Sequence, residues 1–291
     1  MKALIFGVNG QDGTYLRKFL LQHKIDVIGV SRTNSLYNGD VSDYLFVSTL
    51  IKQHLPDYIF HFAAVSSTSH IHIFENNDTI GTGTINILEA VRIYSPASKI
   101  FLSGSALQFR NDGNPIGIDT EFFASSPYAI SRIQSVYSAR YFRDKFNLHV
   151  YIGYFFNHDS PLRSEVHINQ KIVRYIQNIS HQQNLKFQIG NVKVRKEFGF
   201  AGDFVEAVWT LVNQDSVFEA IIGTGISYSI EDWLTYCFNT VNRSWMDHCI
   251  INSNFEKQYD ILVSNPQTIN KLGWYPSTSF TQLADLMLNN K

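Results

Sequence analysis

The sequence predicts an α/β protein built on a doubly wound parallel sheet of the Rossmann type, with a smaller C-terminal lobe. Three observations carry this. Apolar runs of strand length alternate with amphipathic stretches of helix length as far as Phe156. The first run ends in glycines spaced three apart, Gly7, Gly10 and Gly13. Beyond Phe156 the alternation breaks into mixed short segments. That break predicts a first domain over residues 1–160, completed by a segment near 200–215, and a second lobe over 161–291.

Taken in order, Lys2–Phe6 is an apolar run with no room for a helical turn, so it reads as a buried parallel strand. Leu16, Phe19 and Leu20 follow the glycines at i, i+3, i+4 and give one apolar helix face to pack on that strand's sheet. Residues 27–30 make a second strand, and Val47, Leu50, Ile51 and Leu55 a helix face. Residues 58–62 make a third strand, and Ile85, Leu88 and Val91 mark the next helix. A strand at 100–102, a long helix at 133–146 and a strand at 149–155 complete the alternation.

Strand, glycine turn and helix in that order point to dinucleotide binding. Glycines let the backbone approach a pyrophosphate, whose charge then sits against the free N–H groups of the helix's first turn. The end of the second strand distinguishes the two nicotinamide dinucleotides, because a carboxylate there binds a ribose 2′-hydroxyl and an arginine accommodates a 2′-phosphate. This chain has Ser31, Arg32 and Thr33, which predicts NADP.

Composition narrows the partners. With 24 Lys+Arg against 25 Asp+Glu there is no bulk field for nucleic acid or an anionic membrane. No apolar stretch approaches the ~20 residues of a membrane span. Two cysteines, Cys237 and Cys249, and no signal-peptide pattern predict a reduced, cytoplasmic protein. His70 and His72 lack Cys or carboxylate companions at metal-site spacing, so no metal is expected. Lys193, Arg195 and Lys196 read as a phosphate pocket or a solvated strand rather than a nucleic-acid surface.

The stretch GVNGQDGTYLRKFLL resembles the opening of GDP-mannose 4,6-dehydratases, a branch of the extended short-chain dehydrogenase/reductases, with their Gly-Gln-Asp-Gly-x-Tyr-Leu turn. The resemblance places Gly7, Asn9, Gly10, Gln11, Asp12 and Gly13 at the cofactor. It adds Asp40 and Val41, similar to a pair that contacts adenine, and Phe62, Ala63 and Ala64, similar to a Leu-Ala-Ala turn that passes the cofactor. GSALQFR at 104–110 is similar to the family's Ser-Thr-Ser-Glu-Leu-Tyr-Gly, putting Ser105 on the catalytic Thr/Ser and Leu107 on the glutamate that moves protons at C5 and C6. A leucine moves none. SPYAISR is similar to the family's Ser-Pro-Tyr-Ala-x-x-Lys, with Tyr128 as the catalytic phenol and Arg132 at the lysine that holds the nicotinamide ribose. Arg132 supplies a charge and hydroxyl contacts but releases no proton. In this reading Tyr128 is hydrogen-bonded to Ser105.

FFNHDSPLR and VHINQKI resemble family segments that place Asn157 and Lys171 on the nucleotide-sugar, and GNVKVRKEFGFAGDFVEAVW puts Lys196 at an arginine facing phosphates or ribose. Two departures stand out. The family's long loop after the second strand, which reaches a neighbouring subunit's NADP, is reduced to a few residues between Arg32 and Asp40. A homodimer through helices near 84–94 and 128–146 is therefore expected, not a tetramer. The family's diphosphate-gripping arginine is absent from NFEKQYD at 254–260, where Lys257 stands in. The resemblance implies hydride transfer at C4 of a nucleotide-activated hexose, a GDP-sugar first, giving a 4-keto-6-deoxy product. As an alternative, the residues themselves allow a 4-keto-6-deoxy-sugar reductase or a C4 epimerase, neither of which needs the missing glutamate. A non-catalytic NADP-binding sensor or assembly protein is the alternative of another class.

Overall fold

The computed structural model describes residues 1–179, 186–252 and 258–290, so Lys257 lies outside the described residues. β1 (Lys2–Phe6), β2 (Asp26–Ser31), β3 (Tyr37–Asn38), β4 (Tyr58–His61), β5 (Lys99–Ser105), β6 (His149–Phe155) and β11 (Glu219–Ile222) form one parallel sheet. Among the described residues its order is β11-β6-β5-β4-β1-β2-β3. β1 pairs with β2 through Lys2↔Asp26 and with β4 through Ala3↔Tyr58. The chain thus runs outward from β1 through β2 to β3 and returns to the other side of β1 with β4. The crevice beyond the carboxyl ends of β1 and β4 is a topological switch point, where ligands of open α/β sheets bind.

Alternation along β1 explains the two layers. Leu4 and Phe6 join an apolar cluster with α2 (Tyr44–His54), α4 (Gly83–Tyr94) and α5 (Pro127–Phe146), through side chains such as Leu50, Leu88 and Val136. Ala3 and Ile5 join the opposite cluster with α1 (Gln11–Gln22) and α7 (Ala201–Val212), through Leu16, Leu20, Phe204 and Leu211. Both faces of the sheet are covered, as an all-parallel sheet requires. α7 packs against α1 from the other end of the sequence.

Local chemistry sets the helix ends. The Asp43 side chain accepts from Phe46 N at 3.1 Å and caps α2, and Leu55 ends it in the left-handed region at φ 44. Leu55 is consequently 58 % exposed and lies off the apolar face that periodicity assigns it. α5 starts at Pro127, not at 133, because Ser126 accepts from Ala129 N at 3.2 Å and proline is pre-set for a first helical position. That start puts Tyr128 and Arg132 in the first two turns.

Alternation alone puts residues 219–222 in the second lobe, but they form the seventh strand, with Glu219↔Ile152 in register on β6. In the C-terminal lobe, α6 (Ile168–Gln177), α8 (Ile230–Asn239) and α11 (Phe280–Asn289) enclose Trp233, Ile172 and Leu283. Short ladders join β12 (Ser227–Ser229), β9 (Arg195–Glu197) and β14 (Ile261–Leu262), while β7 (His158–Asp159) pairs with β10 (Gly199–Phe200). Among the described residues no helix is long and apolar enough to cross a membrane.

Glu219 locks the sheet edge to α5. It takes hydrogen bonds from Arg140 (2.9 and 2.7 Å), Arg143 (2.9 Å) and the Tyr154 hydroxyl (2.7 Å). Burial works against its charge, but these donors outweigh it and hold its pKa down at about 2. Removing one member of such a group strands the others, so Glu219→Ala should destabilise by about 3–5 kcal/mol at neutral pH in chemical denaturation. Glu219's contribution is complete above the ordinary glutamate value of 4.5 and is lost as pH falls through about 2, so the difference between the proteins should shrink on acidification. An unchanged midpoint at neutral pH would refute the role.

Candidate active site

At the switch point the glycine turn is tightly fitted. Gly7 has φ +90, and a Cβ there would lie 2.7 Å from Ala63 N. A Cβ at Gly13 would lie 2.2 Å from the Gly7 carbonyl oxygen. Neither position admits a side chain. Gly10 begins α1 with no side-chain cap, leaving first-turn N–H groups facing the crevice. A cavity of about 200 Å³ opens there, lined by Gly7, Gly10, Arg32, Asp40, Val41, Ala63 and Ala64 among others. Arg32 is exposed at its edge, and no hydrogen bond or ion pair occupies it among the described residues. Asn9 Nδ2 donates to Thr33 O at 2.8 Å and to Asn34 O at 3.1 Å, holding the short segment that follows β2. Asp40 is turned to its own backbone, accepting from Ser42 N at 2.9 Å and Ser42 Oγ at 2.8 Å.

Gln11 and Asp12 reach across the molecule. Ser160 Oγ donates to Gln11 Oε1 at 2.8 Å, and Asp12 Oδ1 lies 2.9 Å from His158 Nε2. Burial opposes both charges of this second pair, but each outweighs that for the other. The Asp12 carboxyl therefore sits below its usual range and the His158 imidazole above its own. The two residues form an ion pair under the turn, and Gln11 is a tether.

A second cavity of about 330 Å³ adjoins the first and shares Phe62 and Ala64 with it. Ser105, Leu107, Tyr128, Arg132, Asn157 and Lys196 all line it. Ser105 ends β5, and its Oγ accepts from Leu107 N at 3.2 Å in a capping box closed by Gln108. No hydrogen bond joins Ser105 to Tyr128. Both instead face the cavity, and the Tyr128 hydroxyl has no partner among the described residues. Arg132 differs from expectation. Its Nη1 donates to the Ser103 carbonyl and, at 2.9 Å, to Ser103 Oγ, and its guanidinium lies 5.1 Å from the Tyr128 ring centroid. Part of its hydrogen-bonding capacity is thus spent on β5, while its buried Nε has no hydrogen-bond partner among the described residues. His61, beneath, is held uncharged at a pKa of about 3 by burial and by Arg132.

The opposite wall is cationic. Arg163 Nε lies 3.2 Å from Asp159 Oδ1, and its Nη2 is 3.2 Å from His167 Nδ1. Burial and Arg163 hold His167 at a pKa of about 4, so it accepts as a neutral ring. Lys196 is buried beside Phe198 with its pKa lowered by desolvation. Lys171 is not brought here. It points outward from α6, whose neighbouring positions 169, 170 and 172 take the buried face. Sequence reasoning missed His158, Arg163, His167 and Tyr259, all of which line the cavity. The first two stand inside FFNHDSPLR, which was quoted for Asn157 alone. Tyr259 has a pKa pushed up to about 12 by burial, so its phenol is neutral. Among the described residues the carboxylate lining the cavity is Asp12, already paired.

A crevice at a side-chain-free glycine turn beside a cavity holding tyrosine, serine and a basic residue one turn on defines an extended short-chain dehydrogenase/reductase. Solved structures agree on the fold. RMD from Pseudomonas aeruginosa complexed with NADPH superposes with TM-score 0.88 at 15% identity, covering 99% of this chain and 98% of that one. The dTDP-glucose 4,6-dehydratase of Bacillus anthracis in complex with NAD gives 0.86 at 16%, covering 100% and 96%. The family model for GDP-mannose 4,6 dehydratase matches residues 4–287. GDP-mannose 4,6 dehydratase 1 of Arabidopsis thaliana is 30% identical over 322 positions, covering 99% of this chain and 88% of the relative. The chain belongs to the GDP-mannose 4,6-dehydratase family. That alignment is longer than the 291 residues here, so the relative carries segments this chain lacks.

The Asp12–His158 pair yields a titration test. In Asp12→Asn, burial and Arg163 act on His158 against only the weaker hydrogen bond to the Phe156 carbonyl, so its imidazole should titrate below the ordinary 6.5 rather than above it, as read by NMR. The wild-type stability advantage should be largest between the two ordinary values, 3.8 and 6.5. It should fade as pH drops through the lowered Asp12 value and as pH rises through the raised His158 value. An unmoved His158 titration would overturn the pairing.

Proposed function

We propose that this enzyme uses NADP for redox chemistry at C4 of a nucleotide-activated hexose, a GDP-sugar in the first instance, without the dehydration that names its family. One observation carries the reading. The cavity that gathers Tyr128, Ser105 and Arg132 has Leu107, not an acid/base, beside them. A 4-keto-sugar reductase or a C4 epimerase is served by the same residues, since neither removes water across C5 and C6.

The residues fit the cofactor. The uncapped start of α1 and the side-chain-free glycines suit a pyrophosphate, Ala63 and Ala64 leave room beside it, and Arg32 is free for a 2′-phosphate. The related structures named above hold NADPH or NAD. When bound, the nicotinamide supplies hydride exchange at C4. Tyr128 gives or takes the proton on the C4 oxygen, and Ser105 orients that oxygen through its remaining hydroxyl hydrogen. Arg132 keeps a fixed positive charge over the phenol ring, favouring negative charge as it develops on the phenol oxygen. Arg163 and Lys196 attract the substrate's diphosphate, while Asn157, whose buried Oδ1 has no partner among the described residues, accepts from a sugar hydroxyl. A homodimer would cover the outward side chains of α4 and α5, where Ile85, Ile93, Ile130, Tyr137 and Tyr141 are 40–59% exposed. A monomer in light scattering would argue against that dimer.

Arg32→Ala should weaken NADP by at least tenfold and NAD by less than twofold in calorimetry, and equal losses would refute the cofactor assignment. Tyr128→Phe should lower C4 turnover by about 10²–10⁴-fold, followed by nicotinamide absorbance. The unaltered protein should dehydrate GDP-mannose slowly or not at all. Rapid formation of a 4-keto-6-deoxy product, seen as a loss of ~18 mass units, would show that another residue serves C5 and C6.

A further inference from the structure

The cavity has two unlike walls. Arg163 and Lys196 make one of them cationic, the charge of His158 being met by Asp12. On the other the hydrophobic core itself reaches the cavity. Ala106, Phe156 and Leu262 belong to the apolar cluster of α2, α4 and α5 and are at most 3% exposed, while Leu107 and Tyr259 pack against that cluster. Ala106 and Leu107 directly follow Ser105, so this apolar corner borders the place where a C4 oxygen would meet Ser105 and Tyr128.

A hexose has little to offer such a corner. Its ring carbons carry hydroxyls or bare hydrogens and its C6 carries a hydroxyl, whereas a 6-deoxyhexose has a compact apolar C6 methyl on C5, next to C4. A nucleotide-sugar with its diphosphate on the cationic wall turns the far edge of the sugar, C4 with C6 beside it, toward the corner. There a C6 hydroxyl would leave water for Ala106, Leu107, Phe156, Leu262 and Tyr259, of which Tyr259 alone carries a polar side-chain atom. Gln258, the next residue on the cavity, already donates its Nε2 to Thr68 Oγ1 at 2.9 Å. We propose that the enzyme selects a nucleotide-linked 6-deoxyhexose, its C6 methyl seated against Ala106, Leu107, Phe156, Tyr259 and Leu262. The proposal rests on the reading of this cavity as a nucleotide-hexose site. An apolar wall rejects an added hydroxyl by at most about 10²-fold, so the preference should be about 10–100-fold.

The test is calorimetric binding, with NADP present, of two matched pairs: GDP-mannose against GDP-6-deoxymannose, and dTDP-glucose against dTDP-6-deoxyglucose. The 6-deoxy member of the pair that binds should bind 10–100-fold more tightly. Leu107→Gln, which sets an amide in the corner, should reduce that ratio to less than about threefold, whereas Leu107→Ile should preserve it. Tyr259→Phe should keep the ratio at 10–100-fold, because the phenol is a wall here and not a partner for a C6 hydroxyl, and a ratio that falls to one in this variant would count against the proposal. Equal binding of the two members, tighter binding of the 6-hydroxy sugar, or failure of every pair to bind would overturn the proposal. Preferential 6-deoxy binding without any nicotinamide absorbance change would uphold it and refute the C4 redox reading instead.

Discussion

The ion pair between Asp12 and His158 is the contact on which both cavities depend. It spans 146 residues of sequence and joins the first turn of α1 to the short strand that leads out of β6. With the Gln11–Ser160 bond beside it, it fixes the glycine turn against the segment that carries Asn157 and Arg163. The cofactor crevice and the second cavity meet beside this junction, sharing Phe62 and Ala64 after β4. A buried pair of this kind is weak evidence of net stability, since desolvation offsets much of its attraction. Its value is geometric, because an unpaired partner would be a stranded charge and alternative docking of the two segments is thereby disfavoured.

Behind that junction the cavity separates its tasks by polarity. Strand β5 delivers Ser103 and Ser105 two residues apart on one face, as strand geometry requires. Ser103 holds Arg132 and Ser105 faces the cavity, so one strand end both anchors the cation and supplies the hydroxyl. Substituting arginine for lysine at that helix position changes more than proton-release chemistry. A planar guanidinium can grip a carbonyl and a hydroxyl on β5 and still lie over the Tyr128 ring, which a flexible ammonium does less readily. The charge becomes part of the scaffold.

Most of the nucleotide-binding half was legible because its signals are local. The glycine spacing, the strand run before it and the helix face behind it lie within about twenty consecutive residues, and steric exclusion at Gly7 and Gly13 follows from that geometry. The spacing of Ser105 and Leu107, and of Tyr128 and Arg132, is likewise local, so both stretches reach the cavity in the order the motifs suggest. Lys171 did not, because the apolar residues of α6 turn its neighbours inward and leave it on the outer face. β11 was illegible for a different reason. Four residues after a helix carry no pattern that separates an edge strand of the main sheet from a strand of the small lobe.

By itself the sequence determined the fold class, the glycine turn and the cationic end of β2, all properties of residue type and near-neighbour spacing, and its resemblance to the family set Leu107 against the position of an acid/base. Only the tertiary structure decided where Gln11, Asp12 and Arg132 spend their hydrogen bonds, that His158, Arg163 and His167 share one wall, and that the core surfaces at Leu107, Tyr259 and Leu262. Those outcomes turn on which distant segments meet in the folded chain. A side chain such as Asp12 satisfies its charge with whatever partner folding brings within reach, and no local pattern names a partner 146 residues away.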